Sequence, residues 1–290
     1  MPFQRAVQTE PRALRVAERV AARLAAGEGV AGVTLGGSWA RGSAGPGSDV
    51  DLGIYYRSTR RPSIVRLRRL AADLDDRHRG DLLTDFGGWG KWIDGGGWLT
   101  IEGQAVDWLY RDLDRVEQIL AECRRGRVTT DYQWGHPHGF HSHIYLGELH
   151  LGRVLADPGG ELARLKRAVG RYPPALRRTL VGRFLEEAAF ALATGEKGVD
   201  RGDVAYVAGS LFRCAACLVQ ALFAFNRRYV INEKGGVATV AALPIRPPSF
   251  AEEVTAVLGA PGRTPGELRV AVERFRALVE ASRCLCADPS

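Results

Sequence analysis

No run of this 290-residue sequence approaches the ~20 apolar residues that cross a bilayer, so no membrane span is expected. Methionine occurs once and cysteine five times, at Cys123, Cys214, Cys217, Cys284 and Cys286. An odd cysteine count argues against a disulfide framework and fits a reducing compartment. Cys214 and Cys217 have the spacing of a metal or redox pair, but they lie in an apolar helical run and read as small buried hydrophobes. No apolar signal core follows Met1-Pro2-Phe3-Gln4-Arg5, and a cytoplasmic protein is expected. Internal repeats are absent. What remains is an ordinary globular composition, nearly half apolar and one quarter charged, long enough for one large domain or two of common size.

Lysine is scarce as well: the positive side of the net charge of +7 is almost all arginine, which fits an anionic ligand. The densest cluster is Arg60, Arg61, Arg66, Arg68 and Arg69. No aromatic residues interleave with it, so it reads as a solvated helix face, and nucleic acid is not the expected partner.

The stretch Gly36-Gly37-Ser38-Trp39-Ala40-Arg41-Gly42-Ser43 through Ser48-Asp49-Val50-Asp51-Leu52 reads as strand, glycine turn, short helix, loop and second strand. Asp49 and Asp51 stand two apart, so on one strand both carboxylates face the same side. Such a pair suits a hard divalent cation such as magnesium, which takes oxygen ligands and keeps positions open for phosphate. Gly37 and Ser38 lie where backbone amides and a hydroxyl could hold a phosphate tail at a helix start. Metal-bridged triphosphate chemistry is the first expectation.

Residues 11–26 form an amphipathic helix by the spacing of Ala13, Val16, Ala17, Val20 and Leu24, and residues 30–35 a strand. Residues 62–78 read as a helix with Pro62 in its first turn, and 81–86 as a short strand. Gly87 to Gly97, with Trp89 and Trp92, is either a flexible surface loop or a backbone surface close to a ligand. Residues 98–102 and 105–110 form a hairpin-like pair whose second strand carries Asp107, an acid that needs a metal, an arginine or a solvent cleft. With Asp49 and Asp51 it becomes the natural third ligand. Asp112 to Cys123 is a helix.

The loop containing His136, His138, His141 and His143 lacks the spacing of a zinc site and reads as a cleft wall or a solvated turn. Residues 143–155 open a second region, helical throughout after Asp157-Pro158-Gly159-Gly160. Leu211, Phe212, Ala215, Leu218, Val219, Leu222 and Phe223 cover most of one helix surface, as in the central helix of a bundle. Asn232 reads as a helix N-cap.

Gly37-Ser38, followed after a short helix and loop by Asp49-Val50-Asp51, resembles the nucleotidyltransferase superfamily related to DNA polymerase beta, over roughly residues 28 to 112. The helical remainder resembles the second domain of the kanamycin- and lincosamide-type antibiotic nucleotidyltransferases. The resemblance implies an α+β fold: a mixed-sheet nucleotidyltransferase catalytic domain at 1–140, then an all-α helical bundle domain at 141–290 for acceptor binding, homodimer formation or both. It implies ATP or another nucleoside triphosphate as donor, two magnesium ions held by Asp49, Asp51 and Asp107, and the triphosphate tail held by Gly37 and Ser38 with Arg41 or Ser48. The reaction it implies is transfer of a nucleoside monophosphate to a small-molecule hydroxyl with loss of pyrophosphate. An aminoglycoside-like acceptor would prefer an acidic cleft, which a net charge of +7 does not advertise. The alternatives are transfer to a protein or RNA acceptor, as in antitoxin-type members, and an inactive nucleotide-binding protein. Candidates for a separate general base are Glu102, Glu148, Glu186 and Glu187.

Overall fold

Alternation along four neighbouring strands decides where the site can lie, because one sheet face is apolar and the other is not. The computed structural model describes residues 11–287. In chain order it contains α1 (Arg12–Ala25), β1 (Val30–Leu35), α2 (Gly37–Arg41), β2 (Val50–Tyr56), α3 (Ile64–Leu74), β3 (Gly96–Ile101), β4 (Gln104–Asp112) and α4 (Leu113–Arg124). There follow β5 (Thr130–Asp131), β6 (Phe140–His141), α5 (Ile144–Leu151), β7 (Arg153–Ala156) and α6 (Glu161–Ala168). The helices α7 (Pro174–Glu196), α8 (Val204–Phe225), α9 (Gly236–Val240), α10 (Phe250–Gly259) and α11 (Pro265–Ala287) complete the described chain. Of the described residues, 11–119 and 145–170 form one unit, and 120–144 and 171–287 form another. The chain therefore returns to its first unit after residue 144, where a single boundary after residue 140 was expected.

The first unit is built on a five-stranded sheet of order β3-β4-β2-β1-β7, in which only β2 and β4 run parallel. Val33 and Leu35 of β1, Val50, Leu52 and Ile54 of β2, Leu99 and Ile101 of β3 and Val106 and Trp108 of β4 are buried in one cluster with Val16, Ala17, Val20 and Leu24 of α1 and Leu67 and Ala71 of α3. The period of two in the strands and the 3.6-residue spacing of α1 meet there. Asp51, Gly53 and Tyr55 of β2 and Asp107, Leu109 and Arg111 of β4 take the opposite face by the same alternation.

Several local expectations change. The helix α3 starts at Ile64 and not at Pro62, because Ser63 caps it by accepting from the Arg66 amide. Residues 81–86 are not a strand: only Leu83 forms an isolated bridge, to Gly97. Arg153–Ala156, placed by sequence at the opening of a helical region, is an edge strand of the first unit's sheet, with Thr34 opposite Val154. A four-residue strand between Gly152 and Asp157 is too short to show a period.

In the second unit α8 is long and apolar enough to cross a membrane, contrary to the sequence reading, but it is mostly buried as the central helix beside α7 and α11. Phe212 is the exception to the expected core stripe: it is half-exposed and its ring meets His138 at 4.4 Å between centroids. Residues 231–242 supply only α9. Asn232 is no helix cap; its side-chain oxygen accepts from the Lys234 amide in a local turn, and Gly235 precedes the helix.

Candidate active site

The strand register sets four residues in one row. Asp51 of β2 is the partner of Asp107 of β4, and Asp107 is in turn the partner of Trp98 of β3. On the other side of Asp51 the chain leaves β1 at Gly36, whose amide donates to the Asp51 carbonyl at 2.8 Å. Strands lie ~4.8 Å apart and directly paired residues point to the same side, so glycine turn, carboxylate, carboxylate and indole follow one another across the face opposite the core. Asp51 and Asp107 are half-buried, each with interactions to neighbouring groups, and Asp49 is exposed, one residue before β2.

Gly37 closes this row tightly. It has φ of +58°, and a Cβ built there would overlap the Asp51 carboxylate oxygen. A side chain is excluded by conformation and by space at once. Gly37→Ala is expected to destabilise the first unit by about 1–2 kcal/mol and to displace the Asp51 carboxylate. A thermal melt and a metal-dependent triphosphate titration check the two effects separately.

Ser38 and Arg41 lie on α2, a single short helix ended by Gly42 in the left-handed region. Ser48 has a structural part: its hydroxyl accepts from the Gly45 amide at 2.9 Å, and its carbonyl accepts from Trp39 Nε1 at 3.3 Å and Gln104 Nε2 at 2.9 Å. These bonds hold the 42–49 loop against the sheet. Gln104 was not legible as part of the site, since nothing in its sequence neighbourhood points to residue 48.

The far end of the same face is closed by an ion pair. Arg111 donates from Nε and Nη2 to Glu148 of α5 at 2.8 and 2.7 Å, and its side chain is 5% exposed. Burial alone would lower the guanidinium pKa, but the Glu148 carboxylate raises it on balance. Burial pushes the neighbouring Tyr145 up to about 12. Glu148, a base candidate by sequence, is committed to Arg111. Glu102, another, sits in the β3–β4 turn with Arg19 at 2.7 Å.

The remaining candidates belong to the second unit and are placed by its own contacts. Glu187 is bonded to Arg213, at 2.9 Å from Nε, and Arg183 Nε is 3.9 Å away; Glu186 is exposed. His136 Nδ1 is 3.1 Å from Glu233, and the half-buried His138 packs on Phe212 with Nε2 lacking a partner. Two histidines further on matter more to stability than sequence suggested. His141 faces Thr130 Oγ1 at 2.8 Å, and His143 faces Gln220 Oε1 at 3.0 Å.

Burial pushes the His143 imidazole from 6.5 down to about 4, and the neighbouring Arg183 adds to this. The unfolded chain binds the proton first, so stability is complete above the ordinary histidine value and falls as pH drops from there toward 4. The loss from His143 is on the order of 3 kcal/mol. Urea unfolding at stepped pH measures it, and His143→Gln is expected to reduce that dependence without abolishing it, because burial also depresses the stacked His141. An unchanged slope in the variant would remove His143 from the account.

Among the described residues no group of three or more His, Cys, Asp or Glu is arranged to hold a metal ion. The part of the expected set that the register does pair, Asp51 with Asp107, puts two half-buried carboxylates side by side beside a glycine turn, a donor chemistry that fits a hard divalent cation.

Residues 15–92 match the family model of the nucleotidyltransferase domain. Residues 142–234 match a domain of unknown function, DUF4037. No curated protein matches. A similar solved structure is a nucleotidyltransferase-like protein from Exiguobacterium sibiricum 255-15, 11% identical, with a TM-score of 0.47 over 94% of this chain and 76% of that one.

Proposed function

We propose that this chain, whose residues 15–92 match the nucleotidyltransferase domain model, is a nucleotidyltransferase that moves a nucleoside monophosphate from a nucleoside triphosphate to a hydroxyl of a small-molecule acceptor and releases pyrophosphate. The observation that carries this reading is the pairing of Asp51 with Asp107 beside Gly37. Asp51 and Asp107 would hold magnesium, with Asp49 as the third carboxylate that the resemblance implies. When bound, the metal supplies charge neutralisation at the phosphates and Lewis-acid polarisation.

The chain's own groups do the positioning on which phosphoryl transfer mainly depends. The backbone at the start of α2, with the Ser38 hydroxyl, would bind the triphosphate tail. The hydrogen bonds from Trp39 and Gln104 to Ser48 keep the 42–49 loop, and with it Asp49, at the start of β2. Asp107, farther from the glycine turn than Asp51, is the carboxylate placed to take the proton of the attacking hydroxyl.

Pyrophosphate release measured with each of the four common triphosphates across a panel of small hydroxyl compounds tests the proposal. Release is expected to need triphosphate, acceptor and divalent metal together, and to stop with EDTA. Turnover with RNA or protein acceptors only would overturn the acceptor class.

A further inference from the structure

Trp98 is 62% exposed on the edge strand β3, whereas the large aromatic residues of the inner strands β2 and β4 are covered. It is the cross-strand partner of Asp107. Its indole stacks on that of Trp89, with centroids 4.7 Å apart and planes 30° apart. Trp89 comes from the glycine-rich segment and lies over Gly96, where a Cβ would stand 3.2 Å from its ring and close on the Trp108 carbonyl. Glycine at 96 therefore leaves the floor on which the second indole rests. A solvated strand face needs neither the exposed indole nor its backing. Together they make a rigid flat wall, open on one side and adjoining a carboxylate.

We propose that Trp98, backed by Trp89, is the platform on which the acceptor lays a ring, so that the acceptor is a hydroxyl compound with a flat apolar ring face, sugar or aromatic. This rests on the nucleotidyl-transfer reading and follows from the order of groups along the row. In that reaction the acceptor oxygen forms a bond to the α-phosphorus as the bond to the bridging oxygen of pyrophosphate breaks. The hydroxyl proton passes to Asp107, and pyrophosphate leaves with the electron pair. Attack is in line, so nucleophile and leaving group lie on opposite sides of the phosphorus. The leaving group belongs at Gly37 and Ser38, at one end of the row. The attacking hydroxyl then lies toward the other end, beyond Asp107, where Trp98 stands. The nucleoside is attached across this axis and not along it, so the base is not what meets Trp98. Indole faces stack on planar rings and on the C–H face of sugars, and the stack is tolerant of substituents.

The test is calorimetry on the full chain with magnesium and the α,β-methylene analogue of each nucleoside triphosphate. It is followed by titration of ring probes (kanamycin, lincomycin and phenyl glucoside) and of sorbitol as an open-chain control. At least one ring probe is expected to bind the triphosphate-loaded protein and sorbitol is not. Trp98→Ala is expected to raise that probe's Kd about tenfold and Trp98→Phe no more than about twofold, with the triphosphate Kd unchanged in both. Because Trp98 is exposed, a melting curve within a few degrees of wild type shows that the variants fold. A triphosphate Kd that rises in Trp98→Ala, an unchanged probe Kd, or no ring probe binding overturns the platform while nucleotide binding stands. Failure of the wild type to bind any triphosphate overturns the parent reading and the platform with it.

Discussion

Asp51→Asn is expected to lower the rate of pyrophosphate release by at least about a thousandfold, some 4 kcal/mol of transition-state stabilisation. Asparagine has the shape of aspartate, so it keeps the tight fit against Gly37. What it removes is the negative charge beside Asp107. A fall in rate with an unchanged melting temperature therefore separates chemistry from packing. Metal-dependent triphosphate binding is expected to be lost with the rate. Asp107→Asn should act alike, and the pair of substitutions together little worse than either, since groups that act as a unit are not additive. A rate within tenfold of wild type would take Asp51 out of the site.

The second large effect is on stability. Glu148→Leu leaves the Arg111 guanidinium, 5% exposed, without its forked partner. Breaking a buried pair from one side costs about 3–5 kcal/mol, whereas replacing both members by apolar groups of similar volume is often neutral. Urea unfolding is expected to show that loss for Glu148→Leu and its recovery, in large part, for Arg111→Met combined with Glu148→Leu. If Glu148 acted instead as a general base, Glu148→Gln would slow turnover and leave the unfolding midpoint in place.

Both expectations turn on β2 and β4, and these show how far the chain could be read unaided. The spacing of Asp49, Asp51 and Asp107 and the Gly37-Ser38 turn were legible because they are local: a period of two, a glycine pair, an acid in an apolar strand. The mixed α+β class followed from the family resemblance that this motif carries. The parallel pairing of Asp51 with Asp107 was not legible, since register between residues more than fifty positions apart is set by burial of the Val50, Leu52, Ile54 and Val106, Trp108 faces together. Glu148 and Glu187 looked like free carboxylates in sequence, and only the fold supplied Arg111 and Arg213. The last strand of the sheet, Arg153–Ala156, was hidden by its shortness. It forms because β1 has an open edge to satisfy.

The amino-acid sequence by itself thus determined which residue types could do the chemistry and on which local elements they ride, because helix spacing, strand alternation and glycine turns are short-range properties. Tertiary structure alone decided which of those residues share one face. It set Trp98 beside Asp107 and Asp107 beside Asp51, and it drew Arg111 to Glu148 and His143 to Gln220. Those choices depend on contacts between distant segments, which are formed only when the apolar faces of the sheet and the helices are buried together.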